Sequence, residues 1–215
     1  MTTPTPGSLR LLLVDDHAVV RAGYRRLLEQ AGPSWIVSEA VSGEDACQQY
    51  AQAGHDVVVM DLSLPGIGGL EALRRIVQRN RGARVVIFSM HDQAVFAEQA
   101  LATGALGYIT KSSAPDVLIE AVTAVAAGQR YLSAEIQAAL AETGIPPVSL
   151  AVLSPREFEI FRLLAEGRPP TSIGGMLNIS YKTVANHSVS IREKLKLQTA
   201  AELTRFAIRE GVIQL

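Results

Sequence analysis

The sequence predicts an α/β protein: a five-stranded, doubly wound parallel sheet over residues 9–128, then an all-α four-helix unit over residues 150–215. Three observations predict it. Five short apolar bursts alternate with helix-period segments in the first part, a pattern that buries a parallel sheet under helices on both faces. Strand signals stop after Gly128. The charge also divides: residues 1–149 carry 11 basic and 15 acidic side chains, net −4, and residues 150–215 carry 9 and 6, net +3. Such asymmetry separates an acidic front from a mildly basic tail.

The strands are expected at 9–14, 35–40, 56–60, 84–88 and 107–109, each short, apolar and bounded by polar or glycine punctuation. Helical periodicity fills 18–31, 44–53, 69–79, 93–103 and 115–127 between and after them. Residues 129–149 form a connector with a short helix at 133–141 and a loop at 143–149 holding Gly144, Pro146 and Pro147. In the tail, Ser154 precedes Pro155 as a cap followed by proline at the first helical position, opening a helix over 155–165. Further helices are expected at 172–177, 181–195 (after Ser180) and 200–210.

With 48% apolar and 19% charged residues in 215, the chain is too apolar for disorder. Cys47 is the single cysteine, which excludes an internal disulfide framework. No stretch approaches the ~18 apolar residues of a membrane helix. Residues 1–8 carry no basic side chain and make a poor secretion signal. The expectation is a soluble cytoplasmic protein with no membrane partner.

Ligand sites of such sheets lie beyond the carboxyl ends of the strands. Those ends carry Asp15 and Asp16, Asp61, Ser89, and Lys111 after the fifth strand. Three clustered carboxylates repel, and one takes up a proton unless a cation compensates. Hard oxygen ligands suit Mg²⁺, which binds one or two carboxylates together with phosphate oxygens. A carboxylate can also attack phosphorus to give an aspartyl-phosphate, with metal and lysine neutralising the transferred group.

These residues carry a resemblance. Residues 9–128 look like a bacterial response-regulator receiver domain, a flavodoxin-like fold. The tail resembles the LuxR-type helix-turn-helix through Leu-Ser-Pro-Arg-Glu at 153–157, Ala-Glu-Gly at 165–167 and Ile-Ser-Tyr-Lys-Thr-Val-Ala-Asn-His at 179–187. Together they resemble the NarL/FixJ family of two-component transcription regulators. The resemblance implies Asp61 as phosphoacceptor, Asp16 as direct metal ligand and Asp15 as a ligand through water. Ser63 would offer its backbone carbonyl to the metal, Ser89 would be the switch hydroxyl, Tyr108 the aromatic that follows it, and Lys111 the phosphoryl-binding lysine. It also implies Mg²⁺ as cofactor, a sensor histidine kinase as phosphodonor, double-stranded DNA as target and a homodimer when phosphorylated or DNA-bound. His91 and Asp92, just past Ser89, read as solvated loop residues, and His17 as a helix-start residue, since imidazole is a poor Mg²⁺ ligand.

On a helical wheel, Ser188, Ile191 and Leu195 fall within about 40° of Val184, giving segment 181–195 an inward stripe. Lys182, Asn186, Val189 and Glu193 lie opposite, with Ala185 and Lys196 beside them. Asparagine can pair bidentately with adenine and an apolar side chain can meet a thymine methyl. Thr183, His187, Arg192 and Lys194 flank this face as phosphate contacts, and Ser190 joins the expected DNA-binding set. The tail departs from the family where Ala185 and Val189 replace commonly basic or polar residues. The supporting helix reads Pro170-Thr171-Ser172-Ile173 instead of Asn-Lys-Glu-Ile, followed by Gly174 and Gly175. These departures motivate an alternative, a receiver-controlled adaptor whose tail binds protein instead of DNA. An aspartate-nucleophile phosphatase is disfavoured: it wants an acid two residues after the nucleophile, where Ser63 stands.

Overall fold

Six parallel strands form one sheet in the order β2-β1-β3-β4-β5-β6 in the computed structural model, which describes residues 8–32, 34–142 and 150–213. The strands are β1 (Arg10–Val14), β2 (Ile36–Ala40), β3 (Val57–Met60), β4 (Val85–Ser89), β5 (Gly107–Thr110) and β6 (Tyr131–Leu132). The helices α1 (Ala18–Ala31), α2 (Gly43–Ala53), α3 (Gly69–Arg79), α4 (Ala94–Thr103) and α5 (Pro115–Ala126) alternate with the first five. Strand alternation sorts the core by face. Leu11, Leu13, Val57, Val59, Val86, Phe88 and Ile109 meet Leu28 of α1 and Leu118, Val122 and Val125 of α5. Leu12, Val14, Val58, Met60, Val85, Ile87 and Tyr108 point to the other face, under α2, α3 and α4. Both faces are covered, so β3, β4, β5 and all of β1 but Arg10 are buried, while the edge strands β2 and β6 are partly exposed; each large buried apolar side chain contributes ~1.5–3 kcal/mol.

The prediction of five strands is corrected to six. Tyr131–Leu132 runs parallel to β5 in the register Gly107↔Tyr131 and Tyr108↔Leu132. Two residues are too short to carry a period, so only the pairing reveals them. The helix that follows, α6 (Ala134–Glu142), packs on α4 and β5. The 143–149 loop expected from the sequence lies outside the described residues.

The tail comprises α7 (Pro155–Ala165), α8 (Pro170–Met176), α9 (Tyr181–Leu195) and α10 (Ala200–Arg209). Ser154 and Glu157 close a capping box on α7, and Ser180 accepts from Thr183 N at the start of α9. Val184, Ile191 and Leu195 of α9 are buried with Phe158, Phe161, Ile173, Leu203 and Phe206. Helix α8 begins at Pro170, two residues before the expected start, because proline is favourable in the first turn. Its two glycines differ. A Cβ on Gly174 would stand 2.8 Å from the Ile179 carbonyl oxygen, so glycine there admits the turn into α9, whereas Gly175 faces open space.

The tail is docked on the receiver. Phe158 meets Phe96 of α4 edge-on with ring centroids 5.4 Å apart. Arg156 Nη1 donates to the Gly66 carbonyl at 3.0 Å, and Gly66 N donates to the Met176 carbonyl at 3.0 Å. Gln99 Nε2 donates to the Leu150 carbonyl, also at 3.0 Å.

Candidate functional site

Strand order reverses between β1 and β3, and the pairing Val14↔Met60 sets the residues that follow them side by side. Asp15 and Asp61 therefore meet at the switch point where such sheets hold ligands. Both are buried, at 2% and 3% exposure. Lys111 reaches them from the end of β5, its Nζ donating to Asp15 Oδ2 at 2.6 Å and to Asp61 Oδ2 at 2.7 Å. Its backbone N–H donates to the Ser89 carbonyl at 2.8 Å, which ties it to the end of β4. The other oxygens are held by backbone: His17 N donates to Asp15 Oδ1 at 2.7 Å and Ser63 N to Asp61 Oδ1 at 3.3 Å. Asp16 is exposed beside them, with His17 Nδ1 2.8 Å from its Oδ1. His17 is the N-cap residue of α1, as its place in the sequence implies.

The charges do not balance. Three carboxylates face one ammonium, and ligand atoms of Asp15, Asp16, His17 and Asp61 lie within 4.8 Å of one another. Burial pushes the Asp61 carboxyl above its ordinary value, against the opposing pull of Lys111. Burial also acts to lower Lys111, but its bonds to Asp15 and Asp61 win and raise it. The carboxylate oxygens of Asp15, Asp16 and Asp61 are hard donors, and the pocket is compatible with a divalent metal. Ser89 and Tyr108 are both fully buried here.

His91 departs from the expectation of a solvated loop residue. Its ring stacks on Phe96, with centroids 4.1 Å apart and 8° between planes, and its carbonyl accepts the Tyr108 hydroxyl at 2.8 Å. Burial first, and the Arg162 charge second, lower its pKa to about 4, so the ring is neutral. Its only sequence signal is a place two residues after Ser89; Phe96 lies across a turn that no period connects.

On α9 the wheel's outward face is the exposed one: Lys182, Asn186, Val189 and Glu193 are exposed, as is Lys196 at the C-cap. Thr183, Ala185, His187 and Arg192 are partly exposed on its flanks. Thr183 Oγ1 lies 2.9 Å from Ser180 Oγ, and Arg192 Nε donates to the Ser188 carbonyl. Ser190, half-buried, and Lys194, exposed, both reach back to α7. Ser190 Oγ donates to Glu157 Oε1 at 2.8 Å and Lys194 Nζ to Glu157 Oε2 at 2.6 Å, so these two side chains brace α9 on α7. The sequence marks Glu157 only as part of a cap; its second role depends on the crossing of α7 and α9.

A strand-end acid pocket with a bridging lysine, joined to a helix-turn-helix unit, defines a phosphoacceptor receiver with a nucleic-acid-binding output. The family models agree: residues 11–123 match the response regulator receiver domain and residues 151–207 the bacterial regulatory proteins of the luxR family. The chain belongs to the NarL/FixJ-type two-component response regulators. It is 38% identical over 208 residues to the response regulator UvrY of Escherichia coli K12, covering 95% of each chain. It is 40% identical over 210 residues to the transcriptional activator protein ExaE of Pseudomonas putida, covering 95% of this chain and 98% of that one. Among solved structures it resembles RcsB of Salmonella enterica serovar Typhimurium bound to a promoter with a phosphomimetic. That match has a TM-score of 0.67 and 25% identity, covering 93% of this chain and 98% of that one. Among the described residues no helix is long and apolar enough to cross a membrane.

Proposed function

We propose that the chain takes a phosphoryl group on Asp61 from a sensor histidine kinase and, as a dimer, binds double-stranded DNA through α9 to regulate transcription. The observation that carries it is Lys111 bridging Asp15 and Asp61 at the sheet switch point, in a pocket with more carboxylate than cation. Asp15, Asp16, Asp61 and the Ser63 carbonyl would hold Mg²⁺, whose charge screens the attacking carboxylate from the incoming phosphoryl group. An Asp61 oxygen forms the new O–P bond as the donor's P–N bond breaks, and the bonding pair returns to the donor imidazole. Lys111, already on Asp61, neutralises a phosphoryl oxygen, and Ser89 hydrogen-bonds another. Lys182, Asn186 and Val189 would enter the major groove, flanked by Thr183, His187, Arg192 and Lys196 toward phosphates, with Ala185 beside them. One short recognition helix reads few bases, and two-fold pairing supplies a second half-site.

The test is selection of genomic DNA fragments with and without acetyl phosphate and Mg²⁺. Enrichment of paired half-sites, stronger with the phosphodonor, is the expected result. Fragments enriched no better than random DNA in both conditions would overturn the reading and favour an adaptor.

A further inference from the structure

The receiver is acidic, yet its basic side chains are not spread to match. Arg10 pairs with Asp56, Arg21 and Arg25 with Glu39, Arg74 and Arg75 with Glu71, and Lys111 with Asp15 and Asp61. Among the described residues, the side chains of Arg26, Arg79, Arg81, Arg84 and Arg130 make no hydrogen bond or ion pair. Four of these five gather at the edge where the strands begin. Arg79 closes α3, Arg81 and Arg84 lie in the loop to β4, and Arg130 directly precedes β6. Leu106 N donates to the Val85 carbonyl at 2.9 Å and Tyr131 N to the Leu106 carbonyl at 3.1 Å, so the start of β6 lies two strands from the start of β4. With strands ~4.8 Å apart, the Arg84 and Arg130 backbones are separated by roughly 10 Å. Arg79, Arg81 and Arg130 are exposed and Arg84 is half-buried. The loops that open β2 to β6 hold one acid, Asp56, and its Oδ2 already accepts from Arg10 N at 2.8 Å. Helix C-termini also end at this edge and attract cations. However, α1, α2, α4 and α5 close without a base in the last turn, so helix dipoles account for Arg79 alone. Unpaired like charges repel, which disfavours such a cluster unless an anion comes to it.

We propose that this arginine edge of the receiver is a second, sequence-independent surface for duplex DNA, gripping the phosphates of a stretch other than the one read by α9. Arginine forks match phosphate oxygens bidentately. None of the exposed large apolar side chains among the described residues lies on α3, on the loop to β4 or on the loop to β6, so the edge lacks the anchor a protein partner uses. The edge stands at the opposite ends of the strands from Asp61 and on a different unit from α9. Its binding therefore needs neither phosphorylation nor base reading, and a regulator seated through α9 can hold a further length of duplex at the same time.

The test titrates the full-length chain with a random duplex of about 30 base pairs over a salt series. An edge variant carries Arg79→Ala, Arg81→Ala, Arg84→Ala and Arg130→Ala. A reading-face variant carries Lys182→Ala, Asn186→Ala and Lys196→Ala. The reading-face variant is expected to keep salt-dependent binding. Adding the edge replacements should lower its affinity about tenfold or more at ~0.1 M salt. The salt slope should become shallower by about 0.9 for each arginine on a phosphate, about 3 to 4 in all. Lysine at the four positions should restore the slope, because a point charge still holds a phosphate. The edge variant should melt within about 2 °C of wild type, and its labelling by acetyl phosphate with Mg²⁺, followed by intact mass, should match wild type. Arg81→Glu, a single exposed loop change, tests the same surface without the fourfold replacement and should by itself make the slope shallower by about 1 or more. Affinity and slope of the reading-face variant left unchanged by the edge replacements would overturn the proposal, as would loss of all duplex binding in the reading-face variant alone. Poly-glutamate of equal charge competing as well as the duplex would overturn the assignment to DNA in favour of an acidic protein. The converse pattern, binding lost with the edge and untouched by the reading-face replacements, would sink α9 as the reader and leave the edge standing.

Discussion

Asp16 and Ala185 show what single side chains decide. Asp15 and Asp61 spend their oxygens on Lys111 and backbone N–H groups, while Asp16 is exposed, with Oδ1 against the His17 ring, and faces a cation from the solvent side. Asp16→Ala is therefore expected to weaken Mg²⁺ binding and abolish labelling with the acceptor intact; unchanged Mg²⁺ affinity by titration would contradict this. Ala185 is partly exposed beside Lys182 and Asn186. Ala185→Lys should add one phosphate contact per subunit and steepen the salt dependence of DNA affinity by ~1 for each. The gain should fall equally on operator and random duplex, lowering their ratio, since phosphates carry no base information. Affinities over a salt series check both statements. The acid pocket was legible in the sequence because each member closes a strand, and parallel strands bring their ends together. His91 and Glu157 were not legible, because their partners are set by how whole elements cross. Ser190 and Lys194 show the converse: a wheel gives a residue's angle but not the carboxylate waiting on a neighbouring helix.

At the level of elements, α8 carries two glycines that a helix propensity scale treats alike. Gly174→Ala would push a methyl into the Ile179 carbonyl and should cost ~1–3 kcal/mol. Gly175→Ala meets open space and should add about 0.4–1 kcal/mol. Urea unfolding followed by a probe in the tail separates the pair. Helix α9 has its own dependence on pH. Burial acts to raise the Glu157 pKa, yet Lys194, the Ser154 N–H and Ser190 outweigh it and hold the carboxyl at about 2, against an ordinary 4.5. A depressed native pKa stabilises fully above the unfolded value, and its contribution is lost as pH falls from about 4.5 toward about 2. Glu157→Gln should lower the melting temperature above that window and flatten its fall within it, as thermal melts by circular dichroism would show. Helix and strand positions in the receiver were readable from period and punctuation. Strand β6 was not, since its two residues are defined by their pairing with β5, bracketed by Leu106 and Tyr108 accepting from Tyr131 N and Ser133 N.

In the whole molecule, the division into an acidic α/β front and a basic helical tail was readable from charge and period, but the seam between them was not. Buried residues of α3 and α4 form one continuous apolar core with those of α7, α8 and α10, so the two units share an interior. No local pattern announces that sharing, because Phe96 and Phe158 each look like ordinary core residues of their own unit. The added strand has a practical consequence for anyone dissecting the chain. Without Tyr131–Leu132, β5 becomes the outermost strand, and its outward-facing amide and carbonyl groups lie open to another chain. A receiver fragment ending at residue 128 should therefore self-associate with rising concentration, whereas one ending at 142 keeps both β6 and α6 and should stay monomeric without phosphodonor. Sedimentation velocity of the two fragments distinguishes these outcomes. Residues that look like the start of a connector thus serve as the receiver's selvedge, the finished border that keeps a woven sheet from fraying into its neighbours.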